Sequence, residues 1–183
     1  MSESLEKILF ELEEYIAAHY VPSEENENEE TLQAPSDKPA EASGIAEEKG
    51  AGKGGAAESS LSLDDLIGEV GPTFHEKLFD LIANSGMTDV EVYKRADIDR
   101  KFFSKIRNNP AYHPRKDVIL ALAISLRLSI SETEDLLSRA EYAFSPGRKS
   151  DVIIRYFIER GIYDMQVINL ALHDHGLPIL GEY

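Results

Sequence analysis

The chain contains no cysteine and no long run of apolar residues. Without cysteine it can form neither disulfides nor thiolate metal sites. A membrane-spanning helix needs about 18 to 20 consecutive apolar residues, and no stretch approaches that length. The first residues are acidic and amphipathic, unlike the basic start and apolar centre of a signal peptide. These absences predict a cytoplasmic protein with no membrane partner.

The motifs of common enzymes are also missing. There is no glycine-rich phosphate loop, no nucleophile elbow and no pair of carboxylates in a recognisable context. The run His173-Asp174-His175 suggests a metal site, but side chains at i and i+2 of a helix point apart. The sequence therefore predicts no enzymatic activity, no metal, no cofactor and no small-molecule substrate.

Acidic charge is concentrated in the first part of the chain. Residues 1–70 carry 18 Asp and Glu against 4 Lys and Arg, whereas residues 71–183 carry 16 against 15. A polyanion such as DNA would be repelled by the first part but not by the second. Any nucleic-acid-binding surface is therefore expected within residues 71–183.

The first 72 residues divide into three segments. Residues 1–20 form a predicted amphipathic helix, which needs a partner because an isolated helix of this length is marginal in water. That partner could be the folded domain, a second copy or another protein. Residues 21–60 are rich in Glu, Ala, Gly, Ser and Pro and predict a disordered acidic linker. Residues 61–72 predict a short helix that stops at Gly71-Pro72.

The rest of the chain reads as helices throughout. Capping boxes are predicted at Thr73-Phe74-His75-Glu76, Thr88-Asp89-Val90-Glu91 and Ser131-Glu132-Thr133-Glu134. Two further helices, near 150–160 and 164–174, form a predicted extension over residues 141–183. No segment alternates with period two, so the predicted fold class is all-α.

Residues 87–107 read as two short helices joined by a tight turn, the pattern of a helix-turn-helix. In the second helix, predicted over 99–108, Ile98, Phe103 and Ile106 have the spacing to face inward. Between residues 99 and 127 there are 7 Lys and Arg against 2 Asp. The predicted DNA-binding residues are Arg100, Lys101, Ser104, Lys105, Arg107 and Asn108, with Arg115 and Lys116 at the start of the next helix.

Residues 73–140 resemble the five-helix Cro/Xre-type helix-turn-helix domain. The matching positions are Thr88, Val92, Ala96, Ile98, Phe103 and Ile106. The resemblance implies that Arg100, Lys101 and Lys105 contact bases, and that Arg107 and Asn108 lie near phosphates. It also implies a five-helix bundle over 73–140, with the last two helices as an extension.

A longer resemblance covers residues 73–181. It rests on the motif run 88–107 and on Asp151, Tyr156-Phe157-Ile158-Glu159, Tyr163-Asp164, Ile168-Asn169 and Ala171-Leu172. These residues resemble an Xre-like domain of bacteria, mostly Firmicutes, that often follows a macro domain, the module that binds ADP-ribose. No macro domain is present in this sequence, so the resemblance implies no ADP-ribose chemistry.

Three residues depart from the common DNA-binding pattern. Tyr93 replaces a small residue, and Asp97 stands where glycine often allows a left-handed turn. Phe102 is large and apolar on the expected DNA face, so it could contact a thymine methyl or anchor a protein partner. The sequence thus leaves open an adaptor that docks a protein, and an RNA-binding or RNA-polymerase-associated factor.

Taken together, the residues predict a non-enzymatic regulator that binds specific DNA sequences through helix 99–108. Useful specificity would require two copies of so small a module. A protein partner or self-association is expected at helix 2–20. The acidic linker could compete with DNA for the basic helix, a hypothesis in which deleting residues 21–60 tightens DNA binding at low salt.

Overall fold

The computed structural model describes residues 3–22 and 71–181, which contain eight α-helices and no strand. The predicted all-α class is confirmed. The predicted linker and the short helix before residue 72 lie outside the described residues, apart from their non-helical ends. The helices are α1 (Glu3–His19), α2 (Phe74–Ser85), α3 (Asp89–Arg95), α4 (Arg100–Asn108), α5 (Lys116–Ser125), α6 (Ile130–Arg139), α7 (Lys149–Glu159) and α8 (Met165–Asp174).

Local capping signals set where α2 and α3 begin. The Thr73 and Thr88 hydroxyls accept hydrogen bonds from the backbone N–H of Glu76 and Glu91, and each glutamate accepts one from the backbone N–H of its threonine. Both predicted capping boxes are present. Each glutamate carboxylate also accepts a hydrogen bond from the threonine hydroxyl. The backbone bond first, and the hydroxyl bond second, lower the pKa of Glu76 and Glu91.

The third capping box lies two residues earlier than predicted. Ser129, not Ser131, accepts from the backbone N–H of Glu132, and the Glu132 carboxylate accepts from the backbone N–H of Ser129 at 2.9 Å. Ser131 is already inside the first turn of α6. The prediction paired Ser131 with Glu134. Ser129 and Glu132 have the same three-residue spacing, so the spacing alone could not distinguish the two pairs, and the predicted pair was wrong.

The centre of the core is α5, in which every residue from Val118 to Ser125 is buried. It packs with α3, α6 and α8. A helix that is apolar on all sides must be enclosed by its neighbours, so the position of α5 determines where the shorter helices lie. Since α3 packs on it directly, α5 also supports the candidate site.

The N-terminal helix α1 packs on α7. Leu12 and Ile16 are buried, and the Tyr156 hydroxyl donates to the Ile8 carbonyl at 3.2 Å. An ion pair of 2.6 Å joins Arg160 to Glu11. The folded domain, one of the three partners that the sequence left open for this helix, is in contact with it.

Candidate nucleic-acid interface

The two helices α3 and α4 are joined by a four-residue turn, residues 96–99. Val92 and Ala96 are completely buried, and Ile98 is almost so, which anchors the turn to the core. The backbone N–H of Ile98 donates to the Tyr93 carbonyl at 2.9 Å, and Asp97 adopts a left-handed conformation with φ of 55°. The chain can therefore reverse direction tightly between the two helices.

Helix α4 has one buried and one exposed face. Phe103 and Ile106 are buried, as predicted. On the opposite side, four residues follow Arg100 by one, four, five and eight positions, so all five lie along a single stripe of the helix. We call this stripe the α4 face; it consists of the exposed residues Arg100, Lys101, Ser104, Lys105 and Asn108.

The beginning of α4 is fixed by Asp99, whose carboxylate accepts from the backbone N–H of Lys101 at 2.7 Å. Aspartate is a favoured N-cap, and its charge also complements the positive end of the helix dipole. Because Asp99 is exposed at the end of the α4 face, it reduces the positive potential there. Ser104, at the centre of the face, lies more than one helical turn from Asp99, so the positive potential is reduced less there.

The polar groups of the α4 face differ in how far they are engaged. Neither Arg100 nor Lys101 forms an ion pair or side-chain hydrogen bond with any residue in the described ranges 3–22 and 71–181. The Lys105 ammonium lies 4.5 Å from the centre of the Tyr112 ring, and Asn108 donates to the Ser104 hydroxyl at 3.0 Å. Arg100 and Lys101 can therefore meet a ligand without first breaking an ion pair or side-chain hydrogen bond to the described part of the chain.

Arg107 lies beside the α4 face and is largely engaged within the protein. Its guanidinium forms a 2.7 Å ion pair with Asp89 at the start of α3 and lies 4.8 Å from the centre of the Phe79 ring. Its carbonyl accepts a 3.0 Å hydrogen bond from His75. The side chain is half exposed, so a phosphate would have to compete with Asp89 for it.

The remaining two predicted residues are not part of this face. Arg115 forms a 3.3 Å ion pair with Asp117. Lys116 is nearly buried, pairs with the buried Asp151 and donates to the Ala143 carbonyl at 2.6 Å. Since its ammonium is committed inside the protein, Lys116 is not available to a nucleic acid. The sequence pattern could not reveal this, because Asp151 lies 35 residues further along the chain.

The three departures from the common motif each have a structural role. Tyr93 is half-buried and packs on Phe103, with ring centres 5.8 Å apart. Asp97 takes up the left-handed conformation that glycine often supplies. Phe102 is half-buried and meets Tyr112 edge-on at 5.8 Å. These departures therefore leave the turn intact, and Phe102 is not a protruding apolar anchor.

Tyr112 is a neighbour of the α4 face that the sequence analysis did not single out. It lies in the segment between α4 and α5, where its ring is nearly perpendicular to the Phe102 ring and lies beneath the Lys105 ammonium. Because this segment is not helical, no periodic pattern marks the residue. The only signal in the sequence was an aromatic residue soon after Asn109-Pro110.

Cavities between other described residues lie away from the α4 face. One, of about 320 Å³, lies between α1 and α7 beside Tyr15, Phe144 and Arg155. Another, of about 540 Å³, lies between Arg95, Arg127 and Tyr163. Within residues 3–22 and 71–181, no cluster of side chains has the composition of a metal site. In the same ranges, no helix is both long enough and apolar enough to cross a bilayer.

Comparisons with protein-family models, with curated proteins and with solved structures each find no match. The resemblance to Cro/Xre-type domains therefore remains a prediction from the sequence motifs. Function has to be inferred from the side chains of the α4 face and from the turn that holds it.

Proposed function

We propose that this protein is a non-enzymatic regulator that binds duplex DNA through the α4 face. The observation that carries the proposal is a stripe of five exposed donor side chains without an acidic residue among them. Two of these cations, Arg100 and Lys101, make no ion pair with the described residues. A surface of this composition is suited to phosphates and to base edges.

The major groove of B-DNA is about 12 Å wide and admits an α-helix of this size. With α4 in the groove, Arg100 lies near the leading end and is the residue best suited to donate two hydrogen bonds to a guanine. Lys101 and Lys105, one turn apart on the same side of the helix, are suited to the phosphates along that side. Ser104 and Asn108 supply the shorter hydrogen bonds that fix the register of the helix.

The overall charge of −15 opposes this interaction at long range. Binding therefore depends on the local field of α4, which carries four basic residues and no acidic one. We expect weak affinity for a single copy and a strong dependence on salt, because each phosphate contact releases counterions. Two copies on neighbouring half-sites would supply the specificity that one short helix lacks.

The test is titration of fluorescent random duplex DNA with the full chain at several salt concentrations. The double variant Arg100→Ala/Lys101→Ala is expected to lose about tenfold or more in affinity, as one or two base or phosphate contacts would. Its logarithmic salt slope should fall by about 1, because Lys101 is the phosphate contact of the two. The matched control is Lys7→Ala/Arg148→Ala, which removes the same charges from exposed positions outside α4 and should change affinity little.

Equal losses in the two double variants would show that only overall charge matters and would overturn the proposal. A wild-type protein without measurable DNA affinity at low salt would also overturn it. That result would favour the adaptor hypothesis. Phe102 offers less apolar surface to a partner than the sequence suggested, because it is half-buried against Tyr112. The adaptor hypothesis would be supported if the wild type binds a protein partner and Phe102→Ala does not.

A further inference from the structure

The C-terminal segment, residues 177–181, lies directly against the turn between α3 and α4. Gly181 is buried and has φ of +88°, a conformation that side-chain-bearing residues rarely adopt. A Cβ atom at Gly181 would lie 2.7 Å from the Asp97 Cβ and 2.9 Å from the Asp97 carbonyl oxygen. Only glycine allows the two backbones to approach this closely.

Asn169 of α8 holds this segment in place. Its side-chain amide donates to the Leu180 carbonyl and accepts from the Leu180 backbone N–H, both at 2.8 Å. Leu177 and Leu180 are buried in the core next to these bonds. Since α8 itself packs on α5, the segment is connected to the centre of the protein and not only to the surface.

The turn is the place where such a contact matters most. Asp97 has a positive φ, which for a residue other than glycine persists only when the surroundings hold it. The turn's own bond, from the Ile98 N–H to the Tyr93 carbonyl, fixes one side of it. Gly181 lies against the backbone of Asp97, although the Asp97 side chain is exposed, so a distant part of the chain restricts the left-handed residue.

We propose that residues 177–181 set the geometry of the α3–α4 turn and thereby position the α4 face on DNA, with Gly181 and Asn169 as the positioning residues. This inference rests on the proposed DNA binding for its second step. Its first step, control of the turn, concerns the free protein. The two steps can therefore fail separately.

Gly181→Ala is compared with Gly176→Ala in the full chain. Both glycines have positive φ, so both substitutions strain the backbone, but a Cβ at Gly176 meets no atom within 4 Å. The first readout is amide exchange at Ile98 in the free protein. Gly181→Ala should accelerate that exchange, whereas Gly176→Ala should leave it close to the wild-type rate.

The second readout is affinity for the random duplex DNA described above. Gly181→Ala is expected to weaken binding by about tenfold, comparable to the loss of one base contact, and Gly176→Ala by much less. Adding Asp97→Gly to Gly181→Ala removes the nearer of the two clashing atoms, so part of the lost affinity should return. Asp97→Gly in the Gly176→Ala background is the control, because glycine at a positive φ also relieves strain by itself; an equal recovery there would indicate a general gain in stability instead.

Asn169→Ala provides a milder variant that should fold even if Gly181→Ala does not. It releases Leu180 without introducing a clash, and it should also accelerate exchange at Ile98. Unchanged exchange at Ile98 in both variants would overturn the proposal at its first step. Faster exchange with unchanged DNA affinity would overturn its second step. Faster exchange in a protein whose wild type does not bind DNA would overturn the proposed function while leaving control of the turn in place.

Discussion

Lys116 and Asp151 form an ion pair inside the protein and join the start of α5 to the start of α7. Asp151 is almost fully buried and also accepts a 2.8 Å hydrogen bond from the Ser145 backbone N–H. The pair therefore ties the loop before α7 to the central helix. Buried charges of this kind are sensitive to the loss of one partner, since the other is left without compensation.

We expect Asp151→Ala to lower the free energy of unfolding by about 3 to 5 kcal/mol, because it leaves the Lys116 ammonium buried and unpaired. Urea unfolding measures this directly. The matched control is Glu134→Ala, which breaks an exposed ion pair with Arg155 and should change stability by about 1 kcal/mol or less. Similar losses in the two variants would contradict the structural role of the buried pair.

The docking of α1 depends on its buried stripe. Leu12→Ala should lower the free energy of opening α1 from α7 by about 2 to 5 kcal/mol, because the Leu12 side chain is only 1% exposed. Amide exchange along α1, compared with exchange in α5, separates local opening from global unfolding. Phe10→Ala serves as the control because Phe10 is 66% exposed on the same helix, and it should change little.

Alkaline pH is expected to release α1. Burial, assisted by a hydrogen bond donated to Glu159, raises the pKa of Tyr15 from 10.0 to about 12. A raised pKa means that the neutral phenol stabilises the docked helix fully below pH 10, and that this contribution disappears as the pH rises from about 10 to 12. Exchange along α1 should therefore accelerate across that range beyond its intrinsic pH dependence. Tyr15→Phe should already be weakened at neutral pH and should show a smaller step. The remainder comes from Tyr156, whose pKa burial also raises and whose hydroxyl donates to the Ile8 carbonyl of α1.

The five glutamates between residues 24 and 30 provide a test of competition with DNA. If their charge competes for the α4 face, replacing all five with glutamine should raise DNA affinity at about 0.01 M salt, where the Debye length is about 30 Å. The gain should shrink at 0.15 M. It should also shrink in the Arg100→Ala/Lys101→Ala background, where the competing surface is weaker. An equal gain in both backgrounds would indicate a general charge effect instead.

Helix positions could largely be predicted because their signals are local. Thr73 with Glu76, and Thr88 with Glu91, lie three residues apart and set the starts of α2 and α3 without help from the rest of the chain. Ser129 shows the limit of this reasoning, since two serines competed for the role and only the folded chain distinguishes them. The presence of a helix in this region was predictable, but the residue at which α6 begins was not.

The candidate site was less predictable because its charges depend on distant partners. Arg100 and Lys116 look alike in sequence, yet one is exposed on α4 and the other is paired with Asp151. Likewise, no residue close to Asp97 in the sequence indicates that Gly181 lies against it. Contacts across many residues determine which of the predicted cations remain available, and periodicity carries no information about them.

The packing of α1 on α7 also has a consequence for biosynthesis. Some 130 residues separate the end of α1 from the start of α7, and Arg160 is 149 residues beyond its partner Glu11. At about 5 to 20 residues per second, the ribosome needs roughly 7 to 26 s to cover that distance. During this time α7 is not yet available to cover the stripe around Leu12 and Ile16, so this apolar stripe of α1 is open to chaperones until α7 has been synthesised.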